Sequence, residues 1–180
     1  MVTEQAATLV DREGIEALSL SAIAGRLSVR PSALYTHLDG VEGLRYLVAV
    51  HATRHLADSV AASAIGQAGG SAIHAMGTAY RAFAIDHPGQ FASTLHPPRA
   101  DDDELARANR AILNVFVLVY GAMGYDEEAA HLAARSTRSA IHGFLALEHN
   151  AGTTEAHEAE YLHLLRTLER GLELEAVDPA

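Results

Sequence analysis

Apolar residues recur every three to four positions along most of the chain, which is the spacing of amphipathic helices. Ala7, Leu9 and Val10 begin this pattern near the first residue, and Leu164, Leu165 and neighbouring leucines continue it near the last. No long stretch alternates between apolar and polar residues as a half-buried strand does. The pattern therefore predicts an all-α fold of about nine helices.

Proline, glycine and capping residues indicate where those helices begin and end. Pro31 suits a first helical turn, Pro88 stops a helix, and Ser19 or Ser21 can cap the second helix. The predicted helices are Glu4–Glu13, Ser21–Leu27, Pro31–Leu38, Val41–Ile65, Ser71–His87, Gly89–Leu95, the segment from the acidic run at Asp101 to Met123, Asp126–His149 and Thr154–Leu174.

The second and third predicted helices are joined by a turn of three or four residues, the layout of a helix-turn-helix. Five apolar residues are spaced to form one small core: Ile23, Leu27, Val29, Leu34 and Leu38. The outer face of the third helix then carries Arg30, Pro31, Ser32, Ala33, Thr36 and His37. A recognition helix reads base edges in the major groove from such a face. We predict a helix-turn-helix domain over residues 1–46 and a second domain over 47–180.

One string of residues resembles a known family. Val29-x-x-x-x-Leu34-Tyr35-x-His37-Leu38, followed by Glu42-x-Leu44, is similar to the end of the DNA-binding domain of the tetracycline-repressor (TetR) family. The resemblance implies that Tyr35 and His37 contact the phosphate backbone and that the residues facing the bases are Arg30, Ser32, Ala33 and Thr36. It also implies that Ser19 and Ser21 touch the opposite groove wall. Two short helices at this spacing also occur in bundles that never meet DNA.

A second, weaker resemblance lies in the C-terminal part of the chain. The string Ser139-Ala-Ile-His142-Gly143-Phe144-x-x-Leu147-Glu148 is similar to the Trp-His-Gly signature of one TetR subgroup, with Ile141 in place of Trp. Residues 47–180 are then expected to form a ligand-binding and dimerisation domain.

The chain departs from the family pattern at two positions. Ser28 stands in the turn where glycine is usual, and a side chain in left-handed backbone costs roughly 1–2 kcal/mol. Val41 stands where a phosphate-binding lysine is usual, and loss of one phosphate contact lowers the salt dependence of DNA binding by about one unit.

The formal net charge of -10 excludes a protein that coats nucleic acid indiscriminately. The acidic residues lie mostly outside the predicted helix-turn-helix, because the full charges between Ser21 and Asp39 are Arg26, Arg30 and Asp39. The chain contains no cysteine, which excludes disulfides and thiolate sites. No segment has the pattern of a leader or a membrane span, so we expect a cytoplasmic protein without a membrane partner.

The second domain contains candidate contacts for a small-molecule effector and for a homodimer. The pocket candidates are Tyr80, Phe83, Phe91, Phe116, Tyr120 and His142, and the alternative is that these side chains are ordinary core. The predicted dimer contacts, on the eighth and ninth helices, are Leu132, Ile141, Phe144, Leu164, Leu165 and Leu168. The alternative is that this stripe packs within one subunit.

Patterns typical of catalysis are absent from the sequence. His51 and His55 are four residues apart and could share one helix face, but a zinc site needs further ligands and no His-Glu-x-x-His string occurs. No Gly-x-Ser-x-Gly nucleophile motif occurs either. We predict no metal, no cofactor and no enzymatic activity.

These observations predict a ligand-responsive repressor that binds a pseudo-palindromic double-stranded DNA operator as a homodimer. A small-molecule effector would shift the long fourth helix like a lever and release the DNA. The alternative is a ligand-binding or scaffolding dimer whose reading head no longer binds DNA, which Ser28, Val41 and the net charge favour.

Overall fold

The computed structural model of the protein describes residues 1–36, 38–100, 103–152 and 155–177, without the side chains of residues 155 and 172–177. Helices and loops account for all of these residues, which confirms the predicted all-α fold. The helices are α1 (Val2–Glu13), α2 (Leu20–Leu27), α3 (Pro31–Tyr35), α4 (Gly40–Ala64), α5 (Gly69–Asp86), α6 (Pro88–Ser93), α7 (Glu104–Ala122), α8 (Glu127–Ala151) and α9 (Glu155–Val177). A turn of 3-10 helix at Ile15–Ala17, which the sequence pattern did not predict, follows α1.

Side-chain caps fix the first turns of three helices. The Ser19 hydroxyl accepts a hydrogen bond from the Ala22 N–H at 3.1 Å, so Ser19 caps α2. Asp103 accepts the Ala106 N–H at 2.7 Å at the start of α7. Asp126 accepts the Ala129 N–H at 2.9 Å before α8. Each cap satisfies a backbone donor that has no partner inside its own helix, which is why short polar residues define these ends.

The described residues form two compact units, of which the first comprises residues 1–55 and 86–109. Its core contains the buried residues Ala6, Leu9, Val10, Leu18, Leu20, Ile23, Ala24, Leu34, Leu44 and Val48, with Leu27 and Leu38 packed at its edge. The prediction that Val29 joins this core is wrong, since Val29 is 44% exposed. The left-handed residue Ser28 reverses the chain, and the Val29 N–H bonds back to the Ala24 carbonyl oxygen, leaving the side chain outside.

Within the first unit, α6 lies directly on the end of α1. A Cβ atom at Gly89 would overlap the carbonyl oxygen of Val10, so the two backbones meet without a side chain between them. Asp11 on α1 accepts hydrogen bonds from the Gln90 N–H at 2.9 Å and from the Gln90 side-chain amide at 2.6 Å. Asp11 therefore caps α6 from another helix, a role that His87, the residue before α6, does not fill with its own side chain.

The second unit comprises residues 56–85 and 110–180. The large buried side chains of α5, α7, α8 and α9 form its interior, among them Ile73, Met76, Tyr80, Phe116, Tyr120, Ile141, Leu145, Tyr161 and Leu165. The Tyr161 hydroxyl donates to the Gly77 carbonyl oxygen at 2.6 Å, and the Tyr120 and Thr137 hydroxyls are hydrogen bonded. The buried phenol groups thus have polar partners, as burial requires.

A buried ion pair joins α5 to α8 in this unit. Arg81 donates two hydrogen bonds to the carboxylate of Glu148, at 2.7 and 3.1 Å. The side chains are only 14% and 3% exposed, and the hydrogen bonding of Arg81 to the Glu148 carboxylate raises the pKa of Arg81. Because removing one partner would leave a buried charge uncompensated, this pair fixes the alignment of the two helices.

Among the described residues, none of the helices combines the length and the unbroken apolar character that crossing a lipid bilayer requires.

Candidate nucleic-acid interface

The connection between α2 and α3 is closed by two backbone hydrogen bonds. Ser28 has φ 54° and ψ 37°, and it is the one non-glycine residue with positive φ in the described part of the chain. Its N–H bonds to the Gly25 carbonyl oxygen at 3.2 Å, and the next N–H bonds to Ala24 at 3.0 Å. Left-handed backbone at this position ends α2 and directs the chain into α3, the geometry of a helix-turn-helix.

The helix α3 is held by one buried residue and is otherwise exposed. Leu34 is 7% exposed and packs on the core of the first unit beside Ile23 and Ala24. The predicted base-facing positions are all exposed: Arg30, Pro31, Ser32, Ala33 and Thr36. A short helix with one apolar anchor and a polar outer face can enter a groove without losing its packing.

This helix ends at Tyr35, so the prediction that it continues to Leu38 is wrong. Leu38 belongs to the connection before α4, where its side chain is partly buried against the core. That packing turns the chain inward and allows α4 to begin at Gly40. The sequence could not separate these two outcomes, because Leu38 is apolar at a helical spacing from Leu34 in either case.

Tyr35 and His37 are the two predicted phosphate contacts. Tyr35 is 64% exposed, a large aromatic side chain that folding does not bury. Its hydroxyl is the kind of donor that contacts phosphate oxygens. His37 lies outside the described residues.

Ser19 and Ser21 lie together at the start of α2. Their hydroxyl oxygens are 3.2 Å apart, and Ser21 is exposed while Ser19 is partly buried. The cap that Ser19 provides to α2 uses one lone pair of its oxygen, and a hydroxyl has a second lone pair and a proton to offer. Both residues therefore retain groups that can bond to a phosphate.

Positive charge is unevenly distributed around α3. Arg26 on α2 pairs with Glu13 at 2.8 Å. Arg30 is exposed, and no described carboxylate lies within ion-pair distance of it. An exposed guanidinium at the start of α3 is available for a bidentate contact to guanine or to phosphate.

The start of α4 makes a hydrogen bond and a cation–π contact that no sequence pattern predicted. Glu42 accepts a hydrogen bond from His96 Nε2 at 2.8 Å, and this bond lowers the pKa of Glu42. The Arg99 guanidinium lies 4.2 Å from the ring centre of Tyr46, a cation–π contact. Both partners come from the loop after α6, more than fifty positions along the chain, and no local pattern marks them. Val41, in the expected lysine position, is 38% exposed.

The predicted pocket residues do not all lie in one unit. Tyr80, Phe83, Phe116 and Tyr120 are buried in the second unit, whereas Phe91 is buried on α6 in the first. The Tyr80 hydroxyl and His142 Nδ1 are 3.0 Å apart. Desolvation, with a contribution from the positive charge of Arg138, lowers the pKa of His142 to about 4, so this imidazole is neutral at pH 7.

The predicted dimer contacts also divide into two groups. Ile141 and Leu165 are buried within the chain itself, at 0% and 1% exposure. Leu132 is 61% exposed, and Phe144, Leu164 and Leu168 are partly exposed. Only this second group has apolar surface left for another subunit.

The histidine pair singled out in the sequence does lie on one helix face. The ring centres of His51 and His55 are 6.3 Å apart on α4. Within the described ranges no three His, Asp or Glu side chains are placed to hold a metal ion together.

Comparison with known proteins gives a consistent result. The family model described as "Tetracyclin repressor-like, C-terminal domain" matches residues 73–168. An uncharacterised helix-turn-helix-type transcriptional regulator of Mycobacterium tuberculosis, Rv0681, is 34% identical over 148 residues, which are 82% of this chain and 68% of that protein. A second such regulator, YobS of Bacillus subtilis, is 32% identical over 82% of this chain and 76% of its own length.

A solved structure agrees with these relatives. The crystal structure of a regulatory protein, SCO4313, superimposes with a TM-score of 0.73 at 25% identity, over 93% of this chain and 92% of that one. The matched family region spans α5 to most of α9, and the helix-turn-helix geometry lies in the first unit. The chain therefore belongs to the TetR family of DNA-binding helix-turn-helix transcriptional regulators.

Proposed function

We propose that the protein is a homodimeric repressor whose two α3 helices read a pseudo-palindromic operator, and that a small molecule releases it from DNA. The exposed outer face of α3, anchored by the buried Leu34, is the observation that carries this proposal. Arg30, Ser32, Ala33 and Thr36 are assigned to the bases, and Ser19, Ser21, Tyr35 and His37 to the backbone. Pro31 sets the start of the helix.

Dimerisation is proposed through one face of α8. Leu132, Ser136, Ser139, Gly143 and Leu147 follow one another at spacings of three and four residues, and all five are exposed. Leu132 and Leu147 are 61% and 73% exposed, a large apolar area for a residue pair facing water. The three small residues between them would allow a second α8 to approach closely. A two-fold axis here would repeat each contact in the partner.

The effector is proposed to bind among the aromatic side chains of the second unit. Tyr80, Tyr120 and His142 supply polar groups in an otherwise apolar interior, with Phe83 and Phe116 as apolar walls. The helix α4 contributes residues to both units, which supports its role in coupling them. The effector must bind the conformation that does not bind DNA more tightly, because equal affinity for both would leave the operator affinity unchanged.

Selection from random duplexes tests the DNA part of the proposal. Duplexes enriched by the purified protein would be compared with scrambled duplexes by fluorescence anisotropy across a salt series. We expect tight, selective binding with a steep salt slope. Arg30→Ala should reduce the preference for the enriched duplex by about 1–3 kcal/mol.

Arg12→Ala provides the matched control, since it removes the same charge from an exposed position of the first unit outside α3. It should leave the preference between duplexes unchanged. If the selection enriches no sequence, or if Arg30→Ala behaves like Arg12→Ala, the proposed reading head is wrong. The strained Ser28 and the missing lysine at Val41 then favour a ligand-binding dimer whose helix-turn-helix does not bind DNA.

A further inference from the structure

A cavity of about 280 Å³ lies in the first unit, and its lining residues belong to segments other than α3. Its walls come from the 3-10 turn after α1, from α4, and from the end of α6 with the residues that follow. The lining residues are Ile15, Arg45, Ala92, Ser93, Leu95 and His96. The volume is close to the lower end of small-molecule sites, about 300 Å³, so the cavity suits a fragment-sized ligand.

The cavity has an apolar side. Ile15, Ala92 and Leu95 contribute carbon surface, and Leu95, two residues after α6, is 63% exposed. Covering an exposed leucine with the apolar part of a ligand removes that surface from water, which favours binding. The hydroxyl of Ser93 is already engaged, since it donates to the Gly89 carbonyl oxygen at 2.8 Å.

The lining also includes an arginine whose hydrogen-bonding capacity is little used. The guanidinium of Arg45 reaches Glu42 and Glu16 only at 3.7 and 3.8 Å, beyond ordinary hydrogen-bond length. Its Nε is shielded from solvent and has no hydrogen-bond partner among the described residues. The Glu16 side chain is 90% exposed, so exchanging that pairing for another carboxylate costs little.

One carboxylate oxygen of Glu42 is already in contact with His96. The Nε2 atom of His96 lies 2.8 Å from a Glu42 oxygen, and its Nδ1 atom lies 2.8 Å from the Pro97 carbonyl oxygen. That Glu42 oxygen therefore already has a hydrogen-bond partner, and Arg45 is the lining residue that can bind an incoming carboxylate.

We propose that this cavity binds a small amphipathic carboxylate, with its carboxylate on Arg45 and its apolar body against Leu95, Ala92 and Ile15. The site is distinct from the effector pocket proposed in the second unit. Since its walls belong to the same compact unit as α3, the ligand would bind to the unit that carries the helix-turn-helix.

Calorimetric titration of the full chain with benzoate, in the absence of DNA, tests the proposal. We expect saturable binding of benzoate and at least tenfold weaker binding of benzamide, its neutral counterpart. Arg45→Gln should weaken benzoate binding at least tenfold, whereas Arg12→Gln, an exposed arginine of the same unit that does not line the cavity, should not.

Ala92→Phe gives a second variant that keeps the arginine and fills the cavity from an exposed position. It should abolish benzoate binding while the far-ultraviolet circular dichroism stays that of the wild type. The proposal is overturned if benzoate does not bind the wild type, if benzamide binds equally well, or if binding survives undiminished in both cavity variants.

Discussion

Ser28 has a backbone conformation that suits glycine better than serine. Its φ of 54° is required to close the turn between α2 and α3, and two backbone hydrogen bonds hold it there. A side chain in this conformation costs roughly 1–2 kcal/mol, yet glycine would carry an entropy cost of about 0.5–1 kcal/mol in the unfolded chain. The turn geometry therefore persists although the residue is not the one that suits it best.

Ser28→Gly should raise the free energy of unfolding by about 0.5–1 kcal/mol, the difference between those two costs. Urea denaturation followed by circular dichroism measures this change. Ala111→Gly, at an exposed position inside α7, is the control and should lower stability by a similar amount because glycine disfavours helix. Equal effects of the two changes would show that Ser28 is not strained.

His142 makes stability depend on pH. Its pKa is about 4 in the folded chain, against an ordinary value of 6.5, because burial disfavours the charged form. Between pH 6.5 and 4 the unfolded chain binds more protons at this residue, so its contribution to stability is complete above pH 6.5 and falls as the pH decreases toward 4. The group thus destabilises the fold in mild acid.

His142→Gln, which retains an acceptor for Tyr80, should flatten the loss of stability between pH 7 and pH 5. The urea midpoint at each pH would be compared with that of the wild type. His149→Gln changes an exposed histidine of the same helix and should leave the wild-type slope intact. A slope unaffected by His142→Gln would mean that another group controls this range.

At the scale of elements, most helices could be predicted from the sequence because the residues that start, stop and periodically bury a helix lie within or beside it. Periodic apolar residues and short polar residues before a helix act within a few positions, and Ser19, one of the two candidate caps of α2, does cap that helix. The start of α3 at Pro31 was predicted correctly, but its end at Tyr35 and the exposure of Val29 were not, since Val29 and Leu38 are apolar at helical spacing in either case. Burial at such positions depends on the direction of the next helix.

The packing of α6 on α1 could not be predicted from the sequence, for a different reason. Gly89 and Asp11 acquire their roles only when two segments far apart in sequence come together. Gly89→Ala should lower the free energy of unfolding by about 1–3 kcal/mol or more, because the obstacle is the backbone of Val10 and cannot rotate away. Denaturant unfolding measures the loss.

Gly25→Ala is the control for that change. It lies on α2 in the same unit, and an added Cβ would meet nothing within 4 Å. It should raise stability by about 0.5–1 kcal/mol, as glycine-to-alanine changes in open helical positions do. If Gly89→Ala is equally stabilising, α1 and α6 do not make the close backbone contact described.

For the whole molecule, the exposed face of α8 leads to a prediction about assembly. Leu132→Arg combined with Leu147→Arg should convert a dimer into a monomer, because four like charges would face one another across a two-fold axis. Light scattering after size exclusion gives the mass. DNA affinity should fall with it, since a single α3 reads only half of a two-fold site.

Ile65→Arg is the control for this double change, as Ile65 is an 80% exposed residue at the end of α4. It should leave the mass and the DNA affinity unchanged. A wild-type protein that is monomeric at working concentration, or a double variant that remains dimeric, would exclude this face as the interface.

The exposed outer face of α3 was largely predictable, because the positions of Arg30, Ser32 and Thr36 follow from helix periodicity. The division of the chain into units was not. The first unit takes residues 86–109 from beyond the first 55, and the contacts that bind them, such as Glu42 with His96, leave no trace in local sequence. Long-range pairings of this kind require coordinates or an alignment to detect.

The bond between Asp11 and Gln90 also bears on how the chain is made. These residues are 79 positions apart. A ribosome that adds about 5–20 residues per second needs roughly 4–16 seconds to pass from one to the other. Throughout that interval the nascent chain exposes the underside of α1, which α6 will later cover. The first compact unit is therefore begun early in translation and can close only after α6 has been made.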